Sequence, residues 1–167
     1  MNIWFSHGKE SGPWGRKIKR LAAVAKEYGY QVDSVDYTGL TDPDLRVERL
    51  LSRLQGNSDG TTVLVGSSMG GYVSLVAAEQ IAVTGLFLLA PALYLPGYKM
   101  EEFSSDYPFM EIVHGWSDDV IPPENSIRFA QQKNCSLHLI DGDHRLNSSI
   151  ATVENIFRGF LDNIAKL

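Results

Sequence analysis

The sequence predicts an α/β protein, a three-layer α/β/α sandwich built on a mostly parallel sheet of about six strands. Short, continuously apolar segments recur along the chain, as is typical of strands that are buried on both faces of a parallel sheet. Segments with helical periodicity separate these strands, which favours βαβ units. With 167 residues, the chain can form one domain with a sizeable core but is short for two. We therefore expect residues 1–167 to form a single domain.

The first part of the chain predicts a strand, a helix and a second strand. Asn2–Ser6 is apolar and leads into a loop that contains glycine and proline. A helix should follow, because apolar residues then recur at the spacing of one helix face. Gly29 ends this helix, and Gln31–Tyr37 alternates as a strand does. The apolar face of the helix comprises Ile18, Leu21, Ala22, Ala25 and Tyr28.

A second helix is predicted after Thr41 or Asp42, since either residue suits the N-cap position before Pro43. A polar loop over residues 55–60 separates this helix from a third strand, Thr61–Val65. The return from helix to strand again indicates a crossover between parallel strands. The predicted apolar face of the helix comprises Leu45, Val47, Leu50, Leu51 and Leu54.

The second half of the chain continues the alternation of strands and helices. Residues 91–108 interrupt it with Tyr, Pro, Gly and acidic residues, and predict a long loop or a small cap. Functional residues of parallel sheets collect in the loops at the carboxyl ends of strands. The predicted elements are the strands Gly85–Leu89, Phe109–His114 and Leu137–Ile140 and the helices Tyr72–Glu79, Pro123–Lys133 and 150–164.

Composition and charge restrict the classes of function. The chain is 44% hydrophobic and 21% charged, as globular proteins are, and its net charge is −5. A negative net charge argues against a nucleic-acid or anionic-membrane partner. No segment approaches the roughly 20 apolar residues of a membrane span, and the N-terminus lacks the pattern of a signal peptide. One cysteine, Cys135, excludes an internal disulfide, so we expect a cytoplasmic protein.

The strongest local signal is the pentapeptide Gly66-Ser67-Ser68-Met69-Gly70. A β-branched strand precedes it and a helix-compatible segment follows, and such a sharp turn leaves no room for side chains at the two glycines. Ser68 should therefore stand at a helix N-terminus, where backbone N–H groups favour a developing negative charge. A phosphate-binding loop is excluded, because no Lys-Ser/Thr pair follows the last glycine. The motif predicts a nucleophilic serine.

Two later loops supply the partners that such a serine needs. The loop after the fifth predicted strand contains Asp118 and Asp119, and the loop after the sixth contains His144. A serine hydroxyl requires a base to take its proton, and a histidine base requires a carboxylate to hold its tautomer. The order Ser…Asp…His is one of those in which this chemistry is found. A zinc site made by His114, the two aspartates and His144 is the alternative, although their spacing is not that of a tight ligand set.

These motifs together resemble those of the α/β-hydrolase superfamily. His7-Gly8 is similar to its oxyanion loop, the pentapeptide at Ser68 to its nucleophile elbow, residues 114–122 to its acid loop and Asp143-His144 to its histidine loop. The closest likeness is to compact bacterial serine esterases with almost no cap. The resemblance implies that Ser68 is the nucleophile, Asp118 rather than Asp119 the acid, and His144 the base. It implies that the backbone N–H groups of Lys9 and Met69 form the oxyanion hole. We expect His7 and His114 to be structural partners of their loops rather than catalysts.

The expected function is therefore a serine hydrolase that needs no cofactor and no metal and cleaves small or short-chain carboxylic esters through an acyl-enzyme. Trp14, Tyr94 and Trp116 are candidates for the substrate pocket. A thioesterase, an acyltransferase or a peptidase on the same triad stays open, because only the shape of the pocket separates these activities. A hydrolase-fold binding or regulatory protein with an idle triad is the rival from another class. The sequence does not decide between a monomer and a dimer.

Overall fold

A computed structural model describes residues 1–56, 61–104 and 106–167. The predicted loop 55–60 and the segment 91–108 therefore lie partly outside the described residues, at 57–60 and 105. The strands are β1 Asn2–Ser6, β2 Gln31–Val35, β3 Thr62–Ser67, β4 Gly85–Leu89, β5 Phe109–Gly115 and β6 Ser136–Ile140. The helices are α1 Arg16–Glu27, α2 Pro43–Leu54, α3 Met69–Ala78, α4 Pro123–Lys133 and α5 Ile150–Ile164, with a short 3₁₀ turn at Asn147–Ser149.

In the described part of the chain, the strands form one six-stranded sheet in the order β2-β1-β3-β4-β5-β6, and every adjacent pair is parallel. Successive side chains of a strand point to opposite faces, and the two faces have separate apolar clusters. Ile3 and Phe5 of β1 belong to the cluster that includes residues of α1 and α5, whereas Trp4 between them belongs to the cluster that includes residues of α2, α3 and α4. The predicted three-layer α/β/α sandwich is confirmed, and the sheet is parallel throughout rather than mostly parallel.

The central helix α3 is buried along its whole length, and this applies to all ten of its residues. An apolar helix without a polar face can pack in this way between a sheet and its neighbours. Since α3 follows β3 with only Ser68 between them, the sheet and the helix together fix the position of that serine.

Strand β2 and helix α2 differ in detail from the sequence prediction. Strand β2 ends at Val35 rather than Tyr37, because the Tyr37 N–H donates to the ring of His7 at 2.9 Å and not to a neighbouring strand. Helix α2 begins as predicted, with the Asp42 carboxylate accepting the N–H groups at the first turn. Leu45, however, is 46% exposed, and the side chain of Arg46 is buried in its place.

The described part of the segment 91–108 contains no helix or strand, and it packs against α3. The Met100 N–H donates to the Tyr72 hydroxyl at 2.9 Å, and the Ser104 N–H donates to the Glu79 carboxylate at 2.8 Å. These contacts attach the segment to α3, the helix that follows Ser68. Of the helices in the described residues, none is both long and apolar enough to cross a lipid bilayer.

Candidate active site

Ser68 occupies a backbone conformation that L-residues rarely adopt, with φ at 55° and ψ at −119°. The turn brings β3 and α3 so close that a Cβ on Gly66 would lie 2.3 Å from the Gly70 carbonyl oxygen. The Ser68 N–H donates to the Leu89 carbonyl at 2.9 Å, and the Ser68 carbonyl accepts the Ala92 N–H at 3.0 Å. The strained conformation is thus held by the adjacent strand β4 and the residues that follow it.

The structure brings Ser68, His144 and Asp118 together from three separate loops at the carboxyl edge of the sheet. The Ser68 Oγ lies 3.0 Å from the His144 Nε2, and the His144 Nδ1 lies 2.7 Å from the Asp118 Oδ2. The His144 side chain is 19% exposed, and that of Asp118 is fully buried. Asp119 is exposed in the same loop. In this arrangement Nδ1 carries the proton that is donated to the carboxylate, which leaves Nε2 free to accept the serine proton.

The Asp118 carboxylate is surrounded by hydrogen-bond donors. Its Oδ1 accepts the N–H groups of Val120 and Ile121 at 2.9 and 2.8 Å, while its Oδ2 accepts from the rings of His144 and His114 at 2.7 and 3.0 Å. Burial by itself raises the pKa of Asp118. The Ile121 N–H, the His144 ring and the Val120 N–H outweigh this effect, and the pKa lies below its usual range. The carboxylate therefore stays ionised at neutral pH.

His114 is a second histidine that holds the acid loop. Its Nε2 lies 3.0 Å from both the Asp118 carboxylate and the Ile121 carbonyl, and these acceptors require a proton on that nitrogen. Its Nδ1 lies 2.7 Å from the Ser126 hydroxyl, which donates to it. The ring is fully buried, and burial lowers its pKa. His114 is thus a neutral donor that ties Asp118 to β5 and α4.

The His114→Gln variant should change how stability depends on pH. The unfolded histidine titrates near pH 6.5, while the folded pKa is lower, so the unfolded chain binds the proton first as the pH falls. The wild type should therefore lose stability below about pH 6.5, by up to about 1.4 kcal/mol per pH unit for this one proton. Glutamine does not titrate and retains an N–H donor. Urea unfolding at pH 7, 6 and 5 should show a shallower decline for the variant.

Ser126→Ala is the matched control for this measurement. It removes the hydroxyl that donates to His114 but leaves the titrating ring in place. We expect it to lower stability at pH 7 by about 1–3 kcal/mol and to retain the steeper decline of the wild type. Parallel pH profiles for the wild type and His114→Gln would contradict a lowered pKa at His114.

The two expected oxyanion donors lie on either side of Ser68. Met69 is the first residue of α3, and the first N–H groups of a helix have no carbonyl acceptor within it. On the other side, a Cβ on Gly8 would lie 3.5 Å from the Ser68 Cβ, so the peptide between Gly8 and Lys9 passes beside the serine. Among the described residues, the Lys9 N–H has no hydrogen-bond acceptor. Both N–H groups are therefore available to an oxygen placed next to Ser68.

The three residues predicted to line a substrate pocket differ in their surroundings. Trp14 is 39% exposed and Trp116 is 59% exposed, so both present large apolar surfaces to solvent. Tyr94 is held by α4, with its hydroxyl donating to Gln132 at 3.0 Å and the Arg128 guanidinium 3.8 Å above its ring. None of the three lines either of two surface cavities, of about 250 and 290 Å³, beside β5 and α4. Tyr94 thus has partners in the fold, whereas the two tryptophans have free faces.

The alternative zinc site finds no support in the geometry of the described residues. Over the ranges 1–56, 61–104 and 106–167, no three side chains of His, Cys, Asp or Glu are grouped so that they could hold a metal ion. His114 and His144 both direct a ring nitrogen at the same carboxylate oxygen of Asp118. This arrangement is a hydrogen-bond network.

Two cations next to the site were not predicted from the sequence. The Lys17 Nζ donates to the Arg145 carbonyl at 3.1 Å, so α1 holds the loop of His144. Burial lowers the pKa of Lys17 to about 8, although the charges of Asp143 and Asp118 oppose the shift. No sequence signal marks Lys17, because its contact joins residues that are far apart in the chain.

Arg46 is the second of these cations, and its side chain lies beneath the loop that contains His7 and Gly8. The sequence does hold a signal for this residue. Arg46 is spaced four and eight residues from Leu50 and Leu54, which are both buried, so it belongs to their stripe on α2. A charged residue within an apolar stripe indicates a buried polar contact.

Comparisons with known proteins agree with this architecture. A structure of an α/β-hydrolase superfamily protein from Xanthomonas campestris pv. campestris has a TM-score of 0.87, with 31% sequence identity over 97% of this chain and 98% of that one. Est1E from Butyrivibrio proteoclasticus has a TM-score of 0.86 at 19% identity, over 99% and 88% of the two chains. A serine hydrolase without a lid from Xanthomonas campestris has a TM-score of 0.72 at 17% identity, over 96% and 81%.

At the level of families, residues 2–106 match the model described as "Uncharacterised protein family (UPF0227)". No curated protein matches the chain. The matched range includes the loop of His7, helix α2 and the whole elbow around Ser68. Together with the relative that is 31% identical over nearly the full length of both chains, the match shows that this chain belongs to the UPF0227 family, within the α/β-hydrolase superfamily.

Proposed function

We propose that this protein is a serine hydrolase that cleaves small or short-chain carboxylic esters through an acyl-enzyme. The proposal rests on two consecutive hydrogen bonds that connect the three side chains. The Ser68 Oγ lies 3.0 Å from the His144 Nε2, and the His144 Nδ1 lies 2.7 Å from the Asp118 Oδ2. A nucleophile, a base within reach of it, and a carboxylate that orients the base are the elements of acyl transfer.

In the first half of the reaction, the Ser68 Oγ attacks the ester carbonyl carbon while its proton moves to the His144 Nε2. The carbonyl oxygen becomes an oxyanion, which the N–H groups of Lys9 and Met69 stabilise. When the tetrahedral intermediate collapses, the bond to the leaving oxygen breaks and the His144 proton moves to that oxygen. The alcohol leaves, and the acyl group remains on Ser68 as an ester.

In the second half, water replaces the alcohol. The His144 Nε2 takes a proton from water as its oxygen attacks the acyl carbon, and a second oxyanion forms in the same place. Collapse of this intermediate breaks the bond to the Ser68 Oγ, which recovers its proton from His144, and the carboxylic acid leaves. Asp118 stays ionised throughout and stabilises the imidazolium form of His144, as its low pKa and four hydrogen-bond donors favour.

The surroundings of the site favour a small ester. The described part of 91–108 is attached to α3 by Tyr72 and Glu79, and it forms no helix that could act as a lid. The exposed rings of Trp14 and Trp116 offer apolar surface for a short acyl or aromatic group. Est1E, which shares the fold at 19% identity, has been seen with ferulic acid bound. An aromatic acyl ester therefore belongs among the first substrates to test.

The proposal predicts turnover of p-nitrophenyl esters, with the highest kcat/KM for acetate or butyrate and a decline toward decanoate. Methyl ferulate is added to the panel as an ester with an aromatic acyl group. A fluorophosphonate probe should label the wild type and leave Ser68→Ala unlabelled, which identifies the modified residue. Background rates with every ester, together with an unlabelled wild type, would contradict the proposal and favour a binding protein with an idle triad. Faster cleavage of acetyl thioesters than of acetate esters would indicate that thioesters are the preferred substrate class.

A further inference from the structure

Arg46 is a buried cation that contacts the oxyanion loop from below. Its side chain is 1% exposed. Its Nε donates to the Leu40 carbonyl at 2.6 Å, and its Nη1 donates to the carbonyls of His7 and Gly8 at 2.9 and 3.3 Å. The guanidinium carbon lies 5.0 Å from the centre of the Tyr37 ring. One side chain thus connects helix α2 to both peptide carbonyls that precede Lys9.

His7 supports the same carbonyl from a second direction. The Tyr37 N–H donates to the His7 Nε2 at 2.9 Å, so this nitrogen carries no proton. A neutral ring then has its proton on Nδ1, which lies 2.7 Å from the Gly8 carbonyl oxygen and donates to it. The ring is fully buried, and burial lowers its pKa, which keeps it in this form at neutral pH. The Gly8 carbonyl therefore accepts two hydrogen bonds, one from His7 and one from Arg46.

These two hydrogen bonds determine the direction of the Lys9 N–H. The Gly8 carbonyl and the Lys9 N–H belong to one planar trans peptide, in which they point in opposite directions. Since Arg46 and His7 hold the carbonyl oxygen on the interior side, the N–H must point away from both. Gly8 itself lies against Ser68, because a Cβ added to this glycine would be only 3.5 Å from the Ser68 Cβ. The oxyanion donor is thus oriented by a side chain of α2, a helix that supplies no residue to the triad.

The hydrogen bonds of Arg46, rather than its packing, account for a cation at this position. Arg46 takes part in no ion pair among the residues that the structure describes. Burying a charge without an opposite charge is costly, and an apolar residue of similar volume often packs at least as well. What an apolar residue cannot do is donate to three carbonyl groups at once. A positive charge behind the peptide between Gly8 and Lys9 also favours the negative charge that develops next to Ser68.

We propose that Arg46 is a positioning residue of this enzyme, which orients the oxyanion donor at Lys9 through the carbonyls of His7 and Gly8. The inference rests on the proposed hydrolase function. It assigns Arg46 a role in stabilising the transition state and none in binding the ground state of the substrate. Its loss should therefore change kcat and leave KM nearly unchanged.

The test compares the wild type, Arg46→Met and Arg46→Lys in p-nitrophenyl acetate hydrolysis. Displacing a group that positions the reacting atoms can cost about 100-fold, so we expect kcat to fall on the order of 10- to 100-fold in Arg46→Met. Arg46→Lys keeps a cation and a good helix former in α2, so it provides a folded variant if the methionine variant does not fold. Lysine cannot donate to Leu40 and the loop carbonyls together, and it should recover only part of the activity.

Inhibitor binding separates positioning from a general loss of structure. A methyl trifluoromethyl ketone forms an oxyanion adduct with the serine, whereas the corresponding alcohol cannot. Affinity for the ketone should fall in parallel with kcat, and affinity for the alcohol should stay at the wild-type value. Arg49→Met is the matched control, because Arg49 lies one turn further along α2 and donates to the Asp36 carbonyl at the surface. It should keep the wild-type kcat.

The possible failures are distinguishable. An active wild type with an unchanged kcat in both Arg46 variants overturns this inference alone. Equal losses of affinity for the ketone and the alcohol would also overturn it, because they indicate a distorted pocket rather than a displaced donor. A wild type that hydrolyses none of the esters overturns the proposed function and this inference with it.

Discussion

Ser68→Ala should lower kcat/KM for p-nitrophenyl acetate by about 10⁵- to 10⁶-fold, because it removes the atom that forms the acyl-enzyme. The alanine keeps the Cβ that this backbone turn already accommodates, and it removes the Oγ that bonds to the His144 Nε2. The variant should therefore fold and bind substrate as the wild type does. Steady-state hydrolysis and a thermal melt of the same preparation measure both properties.

His144→Ala should reduce the rate to a similar extent, and the double variant should be little worse than either single one. The three side chains act as a unit, so their losses are not additive. Asp118→Asn should lose on the order of 10⁴-fold, because an amide holds the histidine less well in the tautomer that accepts the serine proton. This non-additivity would indicate that Ser68 and His144 act in one chemical step.

Two matched controls lie beside the residues that are changed. Ser67→Ala removes a hydroxyl from the residue before Ser68, and Asp119→Asn neutralises the exposed carboxylate next to Asp118. Both variants should keep activity within several-fold of the wild type. A large loss in Asp119→Asn with an active Asp118→Asn would instead assign the acid to the exposed residue, against the geometry of the acid loop.

The features that could be predicted from the sequence are those that depend on residues close together in the chain. The elbow at Ser68 could be recognised because Gly66 and Gly70 flank it within one turn and a strand and a helix adjoin it. The layered fold was equally accessible, since continuous apolar strands alternate with amphipathic helices along the chain. Such features depend on neighbours that are close in sequence.

The contacts that hold the site in place depend on residues that are far apart in the chain. Ser126 bonds to His114 and Lys17 bonds to the Arg145 carbonyl, across 12 and 128 positions. Arg46 reaches the loop of His7 across 39 positions. Spacing alone could show that Arg46 lies on an apolar stripe, but not which carbonyls it meets. These supporting contacts therefore could not be predicted from the sequence, because they depend on how the folded sheet places its loops.

Gly70→Ala should destabilise the protein by more than about 3 kcal/mol, because the added methyl group has no space at the elbow. Its Cβ would lie 2.0 Å from the Ser6 carbonyl oxygen and 2.7 Å from that of His7. Both are backbone atoms at the end of β1, so no flexible side chain can move aside. Relief of the clash must separate α3 from β1 and displace the oxyanion loop. Urea unfolding should therefore show a large decrease in the midpoint, and any folded fraction should have a low kcat.

Gly159→Ala tests whether this loss comes from the close approach rather than from the substitution itself. Gly159 lies within α5, and a Cβ there would meet nothing within 4 Å. The same added methyl group should stabilise the protein by about 0.5–1 kcal/mol, because alanine loses less conformational entropy than glycine in a helix. A loss of stability in Gly70→Ala together with a gain in Gly159→Ala would show that steric contact between α3 and β1 determines the geometry of the elbow. A stability of Gly70→Ala close to that of the wild type would mean that this contact can relax, and the rigid placement of Ser68 would then need another explanation.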